Sequence, residues 1–228
     1  VYVAWPARWS HIERPVLPGC LAYVVTIVGL DDTDSRQDGM CTTYVAARLA
    51  ERLRQEWQAG QSEASDQQES EASRKSAVNR LCLVRLNPAI PYKTRGNAAL
   101  AVHTDADPGF AYTIAEEIIE HAAKTGDPDT NPGLVVAPGD PLSVPESVVE
   151  FSKRAVREEL PRTVVQEQCE RYGYRVKGWK AGRGVVGALA AVGAWQVWHE
   201  RGDGPTYEVI SYRESSSWGT ERDVDLDS

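Results

Sequence analysis

A mixed α/β (α+β) fold in two small units is the architecture this sequence predicts, and three observations carry the prediction. Short apolar runs rich in β-branched residues, such as 24–30 and 81–84, alternate with longer stretches whose apolar residues recur at three- and four-residue spacing. Turn-forming clusters of Gly, Pro and Asn separate them. With 228 residues, of which 42% are hydrophobic, the chain can bury one large core or two small ones.

Residues 1–22 hold Trp5, Pro6, Trp9, Pro15 and Pro18 without periodicity, and are read as an irregular lead-in, disordered or foreign to the native chain. Val24-Val25-Thr26-Ile27-Val28-Gly29-Leu30 reads as a buried strand, because β-branched side chains fit a pleated surface better than a helix. A helix is expected over about 42–57, with Val45, Leu49 and Leu53 on one face. Residues 58–77, QAGQSEASDQQESEASRKSA, are too polar to bury the area that would offset chain entropy, so a mobile acidic insertion is expected there. Strands at 81–84 and 98–103, a helix at 110–124 and a strand at 131–136 follow. The resulting order, β-α-β-β-α-β, is the split arrangement of ferredoxin-like folds, and it is assigned to a first unit over 23–137.

The second unit, 138–228, is basic, rich in glycine and incomplete at its end. Ser143-Val144-Pro145-Glu146 has the form of a capping box opening a helix to about 160, where Pro161 stops it. A further helix is expected at 164–172. No strand is read before the glycine-rich stretch 178–187, and a helix follows that carries Trp195 and Trp198, three apart and placed for packing. Residues 206–213 alternate as a strand does.

Composition narrows the function classes. No apolar run approaches the length of a membrane span, and the start lacks the basic-then-apolar layout of a signal peptide, so a cytoplasmic protein with no membrane partner is expected. Cys20, Cys41, Cys82 and Cys169 are scattered, with none of the close pairs used by zinc sites, and are expected to be reduced. A net charge of -8 argues against DNA. Yet residues 75–104 contain no acid and include Arg80, Arg85, Lys93 and Arg95, and residues 171–187 contain no acid and include Arg171, Arg175, Lys177, Lys180 and Arg183. Two basic segments in an acidic chain read as anion-binding surfaces. The acidic, lysine-poor surface elsewhere suits a high-salt cytoplasm.

The chemistry concentrates in Asp31-Asp32-Thr33-Asp34-Ser35, followed by Gly39-Met40-Cys41-Thr42-Thr43-Tyr44. Three carboxylates in four positions emerge where the first strand ends, the edge at which open α/β sheets form ligand crevices. Crowded carboxylates repel one another unless a cation joins them, and hard oxygen ligands suit magnesium beside phosphates. The same residue types also make ordinary turns and N-caps. Thr42 and Thr43, at the expected helix start, lie where free backbone amides meet anions. Tyr92-Lys93-Thr94-Arg95-Gly96-Asn97 reads as a phosphate-gripping loop, with a solvated turn as the alternative. Gly182, Gly184 and Gly187, with Arg183 among them, match GxGxxG and serve either phosphate binding or close helix packing. No ribose-binding acid follows, so NAD is not expected. His103 ends a strand and reads as a packed histidine rather than a ligand.

Taken in order, GLDDTDS with GMCTTY, VRLNPAIPYKTRGNAAL, TNPGLVV, GRGVVGALAAVGA and TYEVISYR resemble the archaeal tRNA-isoleucine 2-agmatinylcytidine synthetases, the TiaS family, over about residues 25–225. The resemblance implies a ligase that uses ATP and agmatine to modify the wobble cytidine of the CAU-anticodon isoleucine tRNA. In such enzymes the 2-oxo group is phosphorylated, the amine attacks carbon 2 and phosphate leaves. It implies a kinase-like domain whose acidic cluster is Asp31, Asp32 and Asp34 and whose threonine is Thr42, these four being the catalytic set. Asp32 and Asp34 would hold magnesium, Asp31 would orient or deprotonate, and Thr42 would accept or contact the γ-phosphate. Thr33, Ser35, Thr43, Lys93, Thr94, Arg95, Gly96 and Asn97 would line the ATP phosphates. The carboxylates also suit the guanidinium of agmatine. The family continues into an OB-fold and a zinc ribbon, so this chain is expected to be its N-terminal part, with the 58–77 insertion an addition to the pattern.

Two other classes compete. A strand leading into D-x-D also begins haloacid-dehalogenase phosphatases, but Lys153 is not accompanied by the further acidic pair that class needs. An RNA-binding remnant without catalysis would keep the basic segments alone.

Overall fold

The computed structural model describes residues 25–64, 77–93 and 96–200. The lead-in at 1–22, most of the 58–77 insertion, Thr94, Arg95 and the strand expected at 206–213 lie outside the described residues. Within them the elements run β1 (Thr26–Asp31), α1 (Thr42–Ala64), β2 (Val78–Arg85), β3 (Ala98–Thr104), α2 (Pro108–Ala122), β4 (Gly133–Pro138), α3 (Glu146–Ala155), α4 (Arg162–Tyr172), β5 (Arg175–Gly178) and α5 (Val185–Glu200). No described helix is long and apolar enough to cross a membrane.

The strands form one sheet in the order β2-β3-β1-β4-β5, with every neighbouring pair antiparallel. β1 is central and covered on both faces. Val28 and Leu30 point toward Val45, Leu49 and Leu53 of α1 and Ile114 and Ile119 of α2. Ile27, with Ala99, Ala101 and Val135, faces Ala188, Leu189 and Val192 of α5, backed by Val148 and Val149 of α3. Double burial explains why the first strand is a continuous apolar run: alternation requires one wet face.

α5 lies unusually close to the sheet. A Cβ on Gly29 would stand 2.0 Å from the carbonyl oxygen of Ala188, and one on Gly133 would stand 1.9 Å from the amide nitrogen of Val185. The first turns of α5 therefore rest on the bare backbone of β1 and β4.

Several expectations are corrected. α1 does not stop near Trp57 but continues to Ala64, into the stretch read as a mobile insertion. The residues there include Ala, Gln and Glu, polar in part yet good helix formers, so low hydrophobicity concealed a helix. The capping box does not form: Pro145 is the N-cap of α3 without a side-chain bond, and the Ser143 amide donates instead to the Asp140 carbonyl at 2.8 Å. That helix ends at Ala155, before the expected 160. β5 was missed, and it pairs with β4 along Gly133 to Val136, so the sheet runs across the expected border at 137/138. β5, which was not expected, and α5, which falls in the span given to a second unit, pair and pack with the elements of the first.

Candidate active site

β1 ends at Asp31, α1 begins at Thr42, and the loop between them is bent sharply. Asp32 and Met40 have φ of 56° and 69°, beside Gly39 at 77°. Left-handed backbone costs a non-glycine residue about 1–2 kcal/mol, least for Asp and Asn, and an outlier of this kind is a pointer to function.

The loop is held by bonds to residues nearly a hundred positions away. The Asn131 amide donates to Asp32 Oδ2 at 3.0 Å, and Thr130 Oγ1 donates to the Asp34 carbonyl at 2.6 Å. Ser35 Oγ donates to Asp127 and accepts from the Gln37 and Asp38 amides at 3.1 and 2.9 Å. Ser35 is thus a buried turn-former, not the phosphate contact expected. Thr33, fully buried, donates through Oγ1 to Thr42 Oγ1 at 3.1 Å. Thr33 orients Thr42 from behind, while Thr42 and Thr43 face a cleft of about 730 Å³.

That cleft brings together residues from across the sequence. Asp31, Asp32 and Asp34 line it beside Lys93, Gly96 and Asn97 of the β2–β3 loop, and Arg183, Gly184 and Gly187 close a third side. Its volume falls in the range of small-molecule sites, about 300–1,000 Å³. Lys93 is corrected in one respect: its ammonium donates back to the carbonyls of Pro88 and Ile90, bracing its own loop. Asn97 does the same, donating to the Asn87 carbonyl at 2.8 Å.

The glycine-rich stretch serves packing. A strand, β5, does precede it. Gly182 turns the chain with φ of 62°. A Cβ on Gly184 would meet the Gly133 nitrogen at 2.5 Å, and one on Gly187 would meet Asp31 Oδ2 at 1.9 Å. Gly187 is therefore the seat of the Asp31 carboxyl. Arg183 donates through Nη2 to the Asp129 carbonyl at 3.0 Å and lies 4.8 Å over the Tyr92 ring.

Electrostatics single out two of the carboxyls. Burial, and then the charges of Asp32 and Asp34, hold Asp31 well above the ordinary carboxyl range against the bond it accepts from the Asp32 amide. Burial pushes Asp32 up to about 6, with Asp34 adding to the rise and the Asn131 amide, Arg183 and Lys180 opposing it. Crowded, partly protonated carboxyls are a donor set that a cation would relieve. Among the described residues there is no group of three or more His, Cys, Asp or Glu side chains placed to hold a metal alone. Magnesium needs less, one or two carboxylates completed by phosphate oxygens, and Asp32 with Asp34 fits that pattern.

Other expected residues take structural places. Arg80 lies 3.6 Å over Trp195, and Lys177 pairs with Glu116 and Glu120 at 2.7 Å each, so part of each basic segment serves the fold. His103 is 1% exposed, away from the cleft, edge-on to Trp195 at 6.0 Å and with no partner for either ring nitrogen. Burial, helped by Arg80, pushes it down to about 3. Since an unfolded histidine titrates near about 6.5, the unfolded state binds the extra proton between those values. Stability from this group is full above about pH 6.5 and falls as pH drops toward 3, by about 1.4 kcal/mol per pH unit. Urea unfolding at pH 7 and pH 5 should show a steeper acid loss in the parent than in His103→Phe. Asp31 and Asp32, raised in the fold, act in the opposite sense in both proteins and cancel from the comparison.

Sequence reasoning missed Asn131, whose amide, carbonyl and side-chain oxygen bond to Asp32, Gly184 and Ala181. It also missed Arg162, Glu158 and Glu159, which line the cleft. Nothing in their local sequence distinguishes them.

The described residues form an α/β protein with a polar cleft where the central strand of an antiparallel sheet gives way to the loop before α1, a concave site of the kind that takes a small ligand. Two domain models, TiaS TCKD at residues 27–62 and 66–114 and TiaS FLD at 182–228, together match more than half of the chain. The isoleucine-tRNA 2-agmatinylcytidine synthetase TiaS of Haloquadratum walsbyi is 44% identical over 88% of this chain, and that of Methanosarcina acetivorans 39% identical over 89%. A crystal structure of TiaS in complex with its isoleucine tRNA and ATP aligns with a TM-score of 0.65 at 31% identity over 89% of the chain. One with the same tRNA, AMPCPP and agmatine aligns at 0.63 and 30%, also over 89%. The chain belongs to the TiaS family. It spans 39% and 43% of the length of the two curated relatives, and 42% of each solved chain.

Proposed function

We propose that this chain carries the ATP-dependent part of 2-agmatinylcytidine synthesis on the CAU-anticodon isoleucine tRNA in the cytoplasm, a ligase that forms a C–N bond between agmatine and the wobble cytidine. The observation that carries the reading is the convergence of Asp31, Asp32, Asp34 and Thr42 on one cleft with cationic walls, in a chain whose relatives bear the synthetase name. ATP is the nucleotide, as in the solved TiaS complex with tRNA and ATP.

Thr42 Oγ1 accepts from Thr33, which frees its own proton to move toward a base as the oxygen attacks a γ-phosphate. Asp31, with its raised affinity for protons, is suited to take that proton. Asp32 and Asp34 would hold magnesium, whose contribution when bound is neutralisation of phosphate charge. Arg183 supplies further positive charge at the cleft, and Arg95, outside the described residues, would add to it. ADP leaves, and the 2-oxo oxygen of the cytidine takes the phosphoryl group from Thr42, which frees that hydroxyl again. The agmatine amine then adds at carbon 2, losing a proton as phosphate departs with the former 2-oxo oxygen.

The test needs no RNA. Protein in molar potassium chloride with magnesium and γ-labelled ATP should yield phosphate on the peptide holding Thr42, mapped by mass spectrometry, and none in Thr42→Ala. Label on another residue, or undiminished ATP turnover in Thr42→Ala, removes Thr42 from the mechanism.

A further inference from the structure

Tyr92 is the most exposed of the large hydrophobic side chains at the cleft, 49% accessible, and the described residues on either side of it are tied by hydrogen bonds. The Leu86 amide donates to the Asn97 carbonyl at 2.9 Å, Asn97 donates to the Asn87 carbonyl at 2.8 Å, and the Asn87 amide donates to the Ala155 carbonyl at 3.1 Å. Lys93 ties the same turn from the other end through the Pro88 and Ile90 carbonyls. A loop that holds an aromatic ring in water gains nothing for the core from that ring.

Facing it, the Arg183 guanidinium lies 4.8 Å over the ring, while its Nε is shielded from solvent and has no partner among the described residues. Both side chains line the cleft. A cation–π contact at a solvent-exposed site is weaker than the stacking of a base on an aromatic ring. A planar ligand can therefore displace or extend the pair at a net gain.

We propose that Tyr92 and Arg183 form a stacking site for a nucleobase at the rim of the cleft, taking either the adenine of ATP or an unpaired base of the RNA. This rests on the nucleotide reading above. The two sources share one chemistry, a flat π-face with hydrogen-bonding edges, and binding measurements separate them.

Titrations at one fixed salt concentration would use ATP, tripolyphosphate, a CAU anticodon stem-loop and the same stem-loop lacking the wobble base. Tyr92→Leu should weaken one base-bearing ligand about tenfold, while Tyr92→Phe, which keeps the ring, stays within about twofold of the parent. Arg183→Lys, which keeps the charge without the planar face, should follow Tyr92→Leu. A loss with the intact stem-loop that is absent with the base-less one assigns the site to the RNA. A loss with ATP that is absent with tripolyphosphate assigns it to adenine. If the parent binds ATP or RNA and Tyr92→Leu binds both as Tyr92→Phe does, the stacking site is overturned while the nucleotide reading stands. If the parent binds neither ATP nor RNA, both fall together. Thermal melts of the two Tyr92 variants should match the parent, because Tyr92 is outside the core.

Discussion

Asp32→Asn is expected to lower ATP turnover by about a thousandfold, the upper scale lost when one preorganised electrostatic group is removed, because Asp32 would hold the magnesium that neutralises the phosphates. The substitution isolates the charge. Asn tolerates the left-handed backbone that Asp32 occupies, φ of 56°, nearly as well as Asp does. Its side-chain oxygen can still accept from the Asn131 amide, which now bonds Asp32 Oδ2 at 3.0 Å. One negative charge beside Asp31 and Asp34 disappears, and with it part of the repulsion that raises the Asp31 carboxyl. The melting temperature at pH 7 should therefore hold or rise as activity collapses, the opposite of what a damaged fold would give. Asp38→Asn, exposed on the same loop, is the control and should leave turnover at the parental level. Initial rates and thermal melts on the three proteins decide the matter, and full turnover in Asp32→Asn would place the metal and phosphate elsewhere.

The largest structural effect is expected from a single methyl group at Gly133. Gly133→Ala would drive its Cβ to 1.9 Å from the Val185 nitrogen and 2.0 Å from the Gly184 carbonyl carbon, both backbone atoms that no rotamer change can move. Overpacking a core costs about 1–3 kcal/mol when side chains yield, and more when they cannot. Loss of about 3 kcal/mol or more, on the order of half the stability of a marginal domain, should appear as a collapsed urea midpoint or as protein recovered only from inclusion bodies. Gly126→Ala, with no atom within 4 Å of the new Cβ, should be neutral or slightly stabilising. Gly187→Ala separates fold from site, since its worst contacts, at 1.9 and 2.7 Å, are with the Asp31 carboxyl, which can rotate away, while Asp31 Cβ at 3.0 Å needs only a small shift. The fold should survive there and turnover fall.

What the sequence disclosed follows from how locally each feature is encoded. β1 and the carboxylates at its end were legible because a doubly buried strand must be apolar throughout and its exit abruptly polar. Thr42 was legible as a helix start from the glycine before it and the four-residue spacing of Val45, Leu49 and Leu53 after it. β5 was not, because an edge strand of four residues carrying Arg175 and Lys177 has no apolar signature. The glycines 182, 184 and 187 were read as a choice between phosphate and packing, and only the position of Gly133 and Asp31 across the gap decides it. The bracing of the acidic loop by Asp127, Thr130 and Asn131 was invisible for the same reason. Those bonds span more than ninety positions, and no local pattern specifies a partner so distant.

The close seating of α5 on β1 and β4 also bears on heredity. The family's two domain models meet this chain at 27–114 and from 182 onward, so α5 is inherited with the second. In space it is the wall of the first, covering Ile27, Ala101 and Val135. A recombination event that exchanged one of these modules for a distant homologue's would strip a face from the central strand unless the incoming helix kept its glycines in step. The unit that evolution can shuffle here is larger than the unit that sequence comparison recognises.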